Sequence, residues 1–475
     1  MTRYPFGCCL CFLITLMGCA DLGERTADLG AIYNTPATHI GDERTPVVVI
    51  PGILGSKLTD EDGTKVWGSF TFGAADVDKA VGARQVALPM RLGTPLSELR
   101  DSVYPSDVLD VVELDIGLLR GFEIGAYVDI MQTLAAGKYR DASLGESGAI
   151  DYGGLHYTCY QLPYDWRRDI AEQAAALHSV IREAQDVNRD ARGMDPDEPL
   201  KVDVVAHSMG GLVLRYYMRY GTQPLPDDGS LPELTWEGAQ NIRQAILIGT
   251  PNAGSASALA QLVNGLNLNP VFPNFRPSIL GTMPAIYQLL PRERHGAVVD
   301  QQTGETIAFL DIETWERYGW GLLDEEEDYK LQHLLPDVQS REDRRAIARD
   351  HLEKCLARAE QLHRALDVPA SPPEGTTISI FIGDSESTPT VLGVNASGSI
   401  RVKERGPGDG TVARYSALHD ERTGGEWKPF LQSPVEWHRV QFIFANHLGL
   451  TRDPTFVDNI LFMLLETRSA RQNHD

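Results

Sequence analysis

The sequence has few basic residues, few cysteines and no long apolar run beyond its N-terminus. Its 475 residues carry 43 Lys and Arg against 66 Asp and Glu, a formal net charge of −23. This balance argues against a nucleic-acid partner, because phosphate backbones call for clustered basic side chains. It also argues against attachment to anionic lipid by bulk charge. After the N-terminus, no stretch reaches the roughly 18 apolar residues that would predict a membrane-spanning helix.

The cysteines are too few to predict a disulfide-stabilised protein. Of the six cysteines, only Cys159 and Cys355 lie beyond residue 19. One pair cannot serve as the scaffold of so long a chain. Pairing of these two stays open, but their settings, one strand-like and one in a charged helical stretch, favour two free thiols.

The N-terminus has the features of a processing signal. One basic residue, Arg3, precedes an apolar run from Phe6 to Met17 and then Leu16-Met17-Gly18-Cys19. The run has the length of a signal-peptide core, and its end resembles a bacterial lipobox. We therefore expect a lipoprotein signal peptide over 1–18, lipid attachment at Cys19 and a polar tether over 19–44. This predicts a lipid-anchored protein of the cell envelope, with the outer membrane of a Gram-negative bacterium favoured. A generic secretory signal is the alternative.

Apolar runs that end in glycine-rich or proline-rich turns predict buried strands of a parallel sheet. They alternate with helical stretches, which indicates an α/β fold with a mostly parallel sheet and helices on both faces. The runs are "TPVVVIPGILGSKL", "PLKVDVVAHS", "QNIRQAILIGTPNAG" and "TTISIFIGD". We expect a core over 45–265 with an insertion at about 68–150, an inserted cap over 266–372, and the rest of the core over 373–468.

A serine in "VVAHSMGGLVLRYY" is the predicted nucleophile. Ser208 stands between a buried strand and a helix, as in a nucleophile elbow, where the flanking residues must be small. Ala206 replaces the first glycine of that motif and adds only a methyl group. We expect Met209 N–H and Ile53 N–H, in the "PGILG" loop, to bind the oxyanion. His207 is predicted to be structural.

A serine nucleophile needs a base and a carboxylate that orients the base. In this architecture the chain order is serine, acid, histidine. Asp409, in the loop "GPGDGTV", is the favoured acid, with Asp384 as the competitor. Of the three downstream histidines, His419, His438 and His447, we favour His447, which lies in a loop before a closing helix, and keep His438 as the alternative.

Four segments together resemble the lecithin:cholesterol acyltransferase family, which includes lysosomal phospholipase A2 and the phospholipid:diacylglycerol acyltransferases. They are "PVVVIPGILGSKL", "LPYDWRRD", "VVAHSMGGLVLRYYM" and "GPGDGTV", followed by the late histidine. The resemblance implies an α/β-hydrolase fold with a cap and a membrane-approaching subdomain. It supports the triad and oxyanion residues above, and makes Asp165 and Arg167 a structural pair near the pocket. The short disulfide loop of some animal members is missing.

The sequence therefore predicts a serine hydrolase or O-acyltransferase that takes the acyl group of a lipid, preferably a phospholipid, and passes it to an alcohol acceptor or to water. No cofactor and no metal are expected. The alternatives are a carboxylesterase or triacylglycerol lipase without transfer, and a non-catalytic lipid-binding lipoprotein. Trp315 and Trp320 could form a lipid-facing tip on the cap, but their spacing favours a place in the core.

Overall fold

The computed structural model describes residues 28–70, 75–109, 113–114, 126–266 and 274–467. The predicted signal peptide and Cys19 lie outside the described residues. Fourteen strands are present in these ranges, and they run β1 Val47–Ile50, β2 Ser56–Asp60, β3 Lys65–Trp67, β4 Ser69–Phe70, β5 Val103–Val108, β6 Glu113–Leu114, β7 Cys159–Gln161, β8 Val202–His207, β9 Ile242–Ile248, β10 Val298–Asp300, β11 Thr377–Gly383, β12 Glu386–Val394, β13 Ile400–Gly408 and β14 Arg439–Ile443.

Fourteen α-helices lie in the same ranges. They are α1 Leu29–Ile40, α2 Ala80–Val86, α3 Ala126–Ala136, α4 Ala142–Glu146, α5 Gln173–Ala191, α6 Gly210–Tyr220, α7 Ala256–Asn264, α8 Pro277–Leu280, α9 Pro284–Gln288, α10 Ile312–Tyr318, α11 Asp328–Leu334, α12 Arg341–Asp367, α13 Arg414–Leu418 and α14 Pro454–Leu465. Among them, no helix has both the length and the apolar character needed to cross a bilayer.

The centre of the molecule is a six-stranded sheet in the order β14-β11-β9-β8-β1-β7, and all its pairings are parallel. Every residue of β1 and β8 is buried, as expected for strands covered on both faces. This confirms the predicted α/β architecture. Because parallel strands end at the same edge, the loops after β1, β8, β9 and β11 meet above one edge of the sheet.

The two faces of the sheet are packed by different elements, because alternate side chains of a strand point to opposite sides. Val48 and Ile50 belong to a large core shared with α5, α6, α12 and the predicted cap. Val47 and Val49 belong to a smaller core shared with α1, α3 and α14. The cap is thus continuous with the core: Trp315 and Trp320 are buried within it, and they do not form a lipid-facing tip.

Part of the predicted tether is folded onto the body of the protein. Residues 29–40 form α1 despite Pro36 in its interior, and Tyr33 and Ala37 are buried against α14 and α3. The Tyr33 hydroxyl donates a 2.8 Å hydrogen bond to Asp458. The polar composition of this stretch predicted a linker, but tertiary packing of one face stabilises a helix.

Both cysteines beyond residue 19 are buried free thiols. Cys159 lies in β7 at one edge of the sheet, and Cys355 lies in α12. The expectation of two unpaired thiols therefore agrees with the structure.

The packing of α1 gives a test. Tyr33→Ala is expected to lower the free energy of unfolding by about 3 kcal/mol, because it removes a buried aromatic ring and its hydrogen bond. Ile32→Ala is the matched control, since Ile32 is 55% exposed on the same helix and should change the free energy by less than about 0.5 kcal/mol. Equal effects in urea unfolding would contradict the docked helix.

Candidate active site

Ser208 occupies a sharp turn between β8 and α6. It has a φ of +53°, a left-handed conformation that non-glycine residues adopt only when the surroundings impose it. Its N–H donates to the Ile248 carbonyl at 2.8 Å. At position 210, a Cβ atom would lie 2.4 Å from the Pro51 carbonyl oxygen. The glycine therefore lets the start of α6 approach the loop after β1, and the elbow predicted from the sequence is present.

The structure brings Ser208, His447 and Asp409 together. His447 Nε2 lies 3.0 Å from Ser208 Oγ, and His447 Nδ1 lies 2.7 Å from Asp409 Oδ2. The His447 main-chain N–H also donates to the Asp409 carbonyl at 2.8 Å. This is the arrangement of nucleophile, base and orienting acid that acyl transfer requires.

Asp409 is buried and is held as a carboxylate by its neighbours. Its other oxygen, Oδ1, accepts hydrogen bonds from the N–H groups of Thr411 and Val412, at 2.9 and 2.7 Å. Burial raises the pKa of Asp409, but the charge interaction and hydrogen bond with His447, together with these N–H donors, outweigh it, so the pKa is lowered. Asp409 is therefore able to orient His447 as an anion.

The competing residues lie elsewhere. Asp384 Oδ2 accepts a 3.1 Å hydrogen bond from Arg414. The His438 main-chain N–H bonds to Ile378, near the amino end of β11, whereas Ser208 stands at the carboxyl end of the sheet. His419 is fully buried, 3.2 Å from both Asp367 and Glu421. Of the candidates considered, only Asp409 and His447 are placed beside Ser208.

The loop after β1, residues 51–56, is clamped by aromatic side chains. The Tyr164 hydroxyl donates to the Pro51 carbonyl at 2.9 Å. The indole N–H groups of Trp67 and Trp166 donate to the carbonyls of Leu54 and Ser56, at 2.7 and 3.2 Å. Leu54 is held at a φ of +64°. These bonds fix the path of the loop beside the nucleophile.

The clamp leaves the predicted oxyanion donors free. Within the described chain, neither the Ile53 N–H nor the Met209 N–H donates a hydrogen bond. A Cβ atom on Gly52 would lie 2.7 Å from Ser208 Cβ, so the loop and the nucleophile are in van der Waals contact. N–H groups that are left without an acceptor beside a nucleophile can stabilise charge on a substrate oxygen. The roles of Tyr164 and Trp67 in holding this loop were not predicted. For Tyr164, its place in the "PYDW" segment was the only indication of a role near the site.

Asp165 and Arg167 form a buried pair below the site. Arg167 Nε and Nη2 bond the two oxygens of Asp165 at 2.9 and 2.7 Å. The same guanidinium lies 2.9 Å from Asp101 and donates to the Val86 carbonyl at 3.1 Å. The pair thus ties the loop after β7, which carries Trp166, to α2, in agreement with a structural role.

A cavity of about 250 Å³ opens onto Ser208 and His447. Most of its wall is apolar and comes from the loops around the elbow and from the predicted cap. The lining residues include Ile53, Trp166, Ala258, Phe275, Leu280, Ile286 and Leu289. Ser255, Gln261 and Thr411 add a few polar groups. Such a space suits an apolar chain with a polar ester at one end.

The parallel sheet and the strand-to-helix elbow define the α/β-hydrolase fold. Comparison with family models then gives a match to Lecithin:cholesterol acyltransferase over residues 154–318, a range that includes the "PYDWR" segment and the elbow. This match confirms the family resemblance predicted from the sequence. It supports an enzyme that acts on lipid acyl esters, by hydrolysis or by acyl transfer.

A solved structure that matches most of this chain supports the fold. A chain of the crystal structure of the Tle4–Tli4 complex matches with a TM-score of 0.54 and 14% identity, over 89% of this chain and 99% of that chain. Phospholipase PlaB from Legionella pneumophila gives a smaller match, with a TM-score of 0.21 and 18% identity over 36% of this chain and 30% of that chain. No curated protein sequence matches.

His207, directly before the nucleophile, makes stability depend on pH. Burial, and then the nearby His447, lowers the pKa of His207 from 6.5 to about 3. Between pH 6.5 and about pH 3, His207 binds a proton in the unfolded chain but not in the folded one. The free energy of unfolding is therefore highest above pH 6.5 and decreases as the pH falls towards 3.

We expect protonation of His207 in the unfolded chain to lower the free energy of unfolding by about 2 kcal/mol at pH 5 relative to pH 7. Urea unfolding of the wild type and of His207→Gln at both pH values measures it. Between pH 7 and pH 5, the free energy of unfolding of the variant should fall by about 2 kcal/mol less than that of the wild type. An identical pH dependence in both proteins would contradict the buried neutral imidazole.

Proposed function

We propose that this protein is a serine-dependent lipid ester hydrolase and O-acyltransferase that acts preferentially on phospholipid. The observation that carries the proposal is the hydrogen-bonded chain Ser208–His447–Asp409 at the mouth of an apolar cavity. The family match supports lipid acyl esters as the substrate class.

In the proposed reaction, Ser208 Oγ attacks the ester carbonyl while His447 Nε2 takes its proton. The oxyanion accepts hydrogen bonds from the N–H groups of Ile53 and Met209. His447 returns the proton to the leaving alcohol as the carbon–oxygen bond breaks, which leaves an acyl-serine. An alcohol or water then gives its proton to His447 and attacks the acyl group. The bond between the acyl carbon and Ser208 Oγ breaks, His447 returns the proton to Oγ, and an ester or a fatty acid is released.

We also propose attachment to an envelope membrane through lipid on Cys19. The sequence "LMGC" supports this. Helix α1 begins at Leu29 and packs against the body of the protein. The nine residues between Cys19 and Leu29 can reach at most about 30 Å. An anchor at Cys19 would therefore hold the folded body close to the membrane surface.

Replacement of the nucleophile tests the chemistry. Wild-type protein incubated with phospholipid vesicles should release fatty acid and be labelled by a fluorophosphonate, and Ser208→Ala should lose both by at least about 10³-fold. Adding a long-chain alcohol and analysing all acyl products by mass spectrometry distinguishes transfer from hydrolysis. Ser179→Ala, an exposed serine of α5, is the control and should behave as wild type. Undiminished labelling of Ser208→Ala would overturn the proposal.

The acid can be tested separately. Asp409→Asn should lower kcat by about 10⁴-fold, because an amide cannot hold the required imidazole tautomer or stabilise the imidazolium. The matched variant is Asp384→Asn, which breaks only the contact with Arg414 and should keep kcat within about threefold. Similar losses in the two variants, measured with a soluble ester at equal melting temperature, would contradict the assignment of Asp409.

A further inference from the structure

A buried chain of hydrogen bonds connects three parts of the site. The Gly52 N–H donates to the Tyr127 hydroxyl at 2.7 Å, and the same hydroxyl lies 3.4 Å from His207 Nδ1. His207 Nε2 lies 3.2 Å from the His447 carbonyl oxygen. Gly52 precedes the oxyanion donor Ile53, and His207 precedes the nucleophile. The chain therefore joins the oxyanion loop, the elbow and the base.

The protons of this chain have one consistent arrangement. A carbonyl can only accept, so His207 Nε2 carries the proton that it shares with His447. Burial lowers the pKa of His207 to about 3, which keeps the imidazole neutral and leaves Nδ1 as an acceptor. Burial raises the pKa of Tyr127, so its hydroxyl stays protonated and can donate to His207 Nδ1 while it accepts from Gly52.

The Tyr127 hydroxyl packs closely against both glycines of the "PGILG" loop. A Cβ atom on Gly55 would lie 2.7 Å from Tyr127 Oη, and one on Gly52 would lie 3.2 Å from it. The Tyr127 ring also stands edge-on to the His207 ring, with centroids 5.8 Å apart and an interplanar angle of 78°. The tyrosine thus reaches from α3 to the loop, where a side chain at position 52 or 55 would crowd its hydroxyl as well as Ser208 or Pro51.

We infer that Tyr127 and His207 are positioning residues for the proposed acyl transfer. Neither touches the reacting atoms in this role. Tyr127 fixes the oxyanion loop through Gly52, and His207 fixes the backbone of the base through the His447 carbonyl, so the bond between them sets the distance from oxyanion donors to base. The inference rests on the proposed function and adds two residues to its machinery.

Tyr127→Phe removes the hydroxyl and keeps the ring. We expect kcat for Ser208 acylation to fall by about 10- to 100-fold, the scale of a small misplacement of catalytic groups. KM should stay within about twofold, because Tyr127 lines the cavity and its ring is kept. Tyr139→Phe is the matched control: Tyr139 is also buried, and its hydroxyl has no hydrogen-bond partner in the described chain, so its kcat should equal that of the wild type.

His207→Gln provides a second variant that does not depend on how well Tyr127→Phe folds. Its amide N–H can still reach the His447 carbonyl, but the acceptor for Tyr127 is lost. We expect the same fall in kcat. The double variant Tyr127→Phe/His207→Gln should be no slower than either single variant, because both single variants and the double variant break the same hydrogen bond, between the Tyr127 hydroxyl and His207 Nδ1.

Rates of fluorophosphonate labelling and of ester turnover, with melting temperatures, decide the outcome. Wild-type kcat in Tyr127→Phe, a loss confined to KM, or losses that multiply in the double variant would overturn the positioning role. Ser208→Ala is run alongside. If it is labelled at the wild-type rate, the proposed function fails and this inference fails with it. If labelling depends on Ser208 but is unaffected in Tyr127→Phe, only the inference fails.

Discussion

The site depends on the contact between the start of α6 and the loop after β1. Gly210 allows this contact, because the Pro51 carbonyl oxygen lies where a side chain would begin. If the two segments moved apart, Ser208 would leave the loop that carries Ile53, and the sheet would still be intact. The central strands thus supply stability, while a single close approach above them decides whether the predicted nucleophile and the predicted oxyanion donors form one site.

The aromatic residues around this contact explain how a strained loop keeps its shape. Leu54 and Ser208 both have positive φ values, and such conformations persist only where the surroundings over-determine them. Tyr164, Trp67 and Trp166 donate hydrogen bonds to three carbonyls within residues 51–56. Since each donor is itself buried, the loop cannot exchange these bonds for water without opening the core.

The sheet, the elbow serine Ser208 and its two partners Asp409 and His447 were predictable, because each of them has a signal in a short stretch of sequence. Strands buried on both faces need continuous apolar runs, and a serine between small residues after such a run marks the turn. The roles of Tyr127 and Trp67 were not predictable, because their hydrogen bonds join residues 75 and 13 positions apart in the chain. A single aromatic residue gives no sequence periodicity from which such a partner could be inferred. Helix α1 was missed for a related reason: Pro36 and a polar composition hide a face that only packing reveals.

The order of the elements along the chain has a consequence for biosynthesis. Ser208 follows β8, whereas Asp409 follows β13 and His447 follows β14, the last strand among the described residues. A nascent chain that has emerged only as far as the cap holds the serine without either partner. The arrangement of Ser208, His447 and Asp409 is completed only when the segment after β14 has docked, so an unfinished chain that lacks this segment cannot form it.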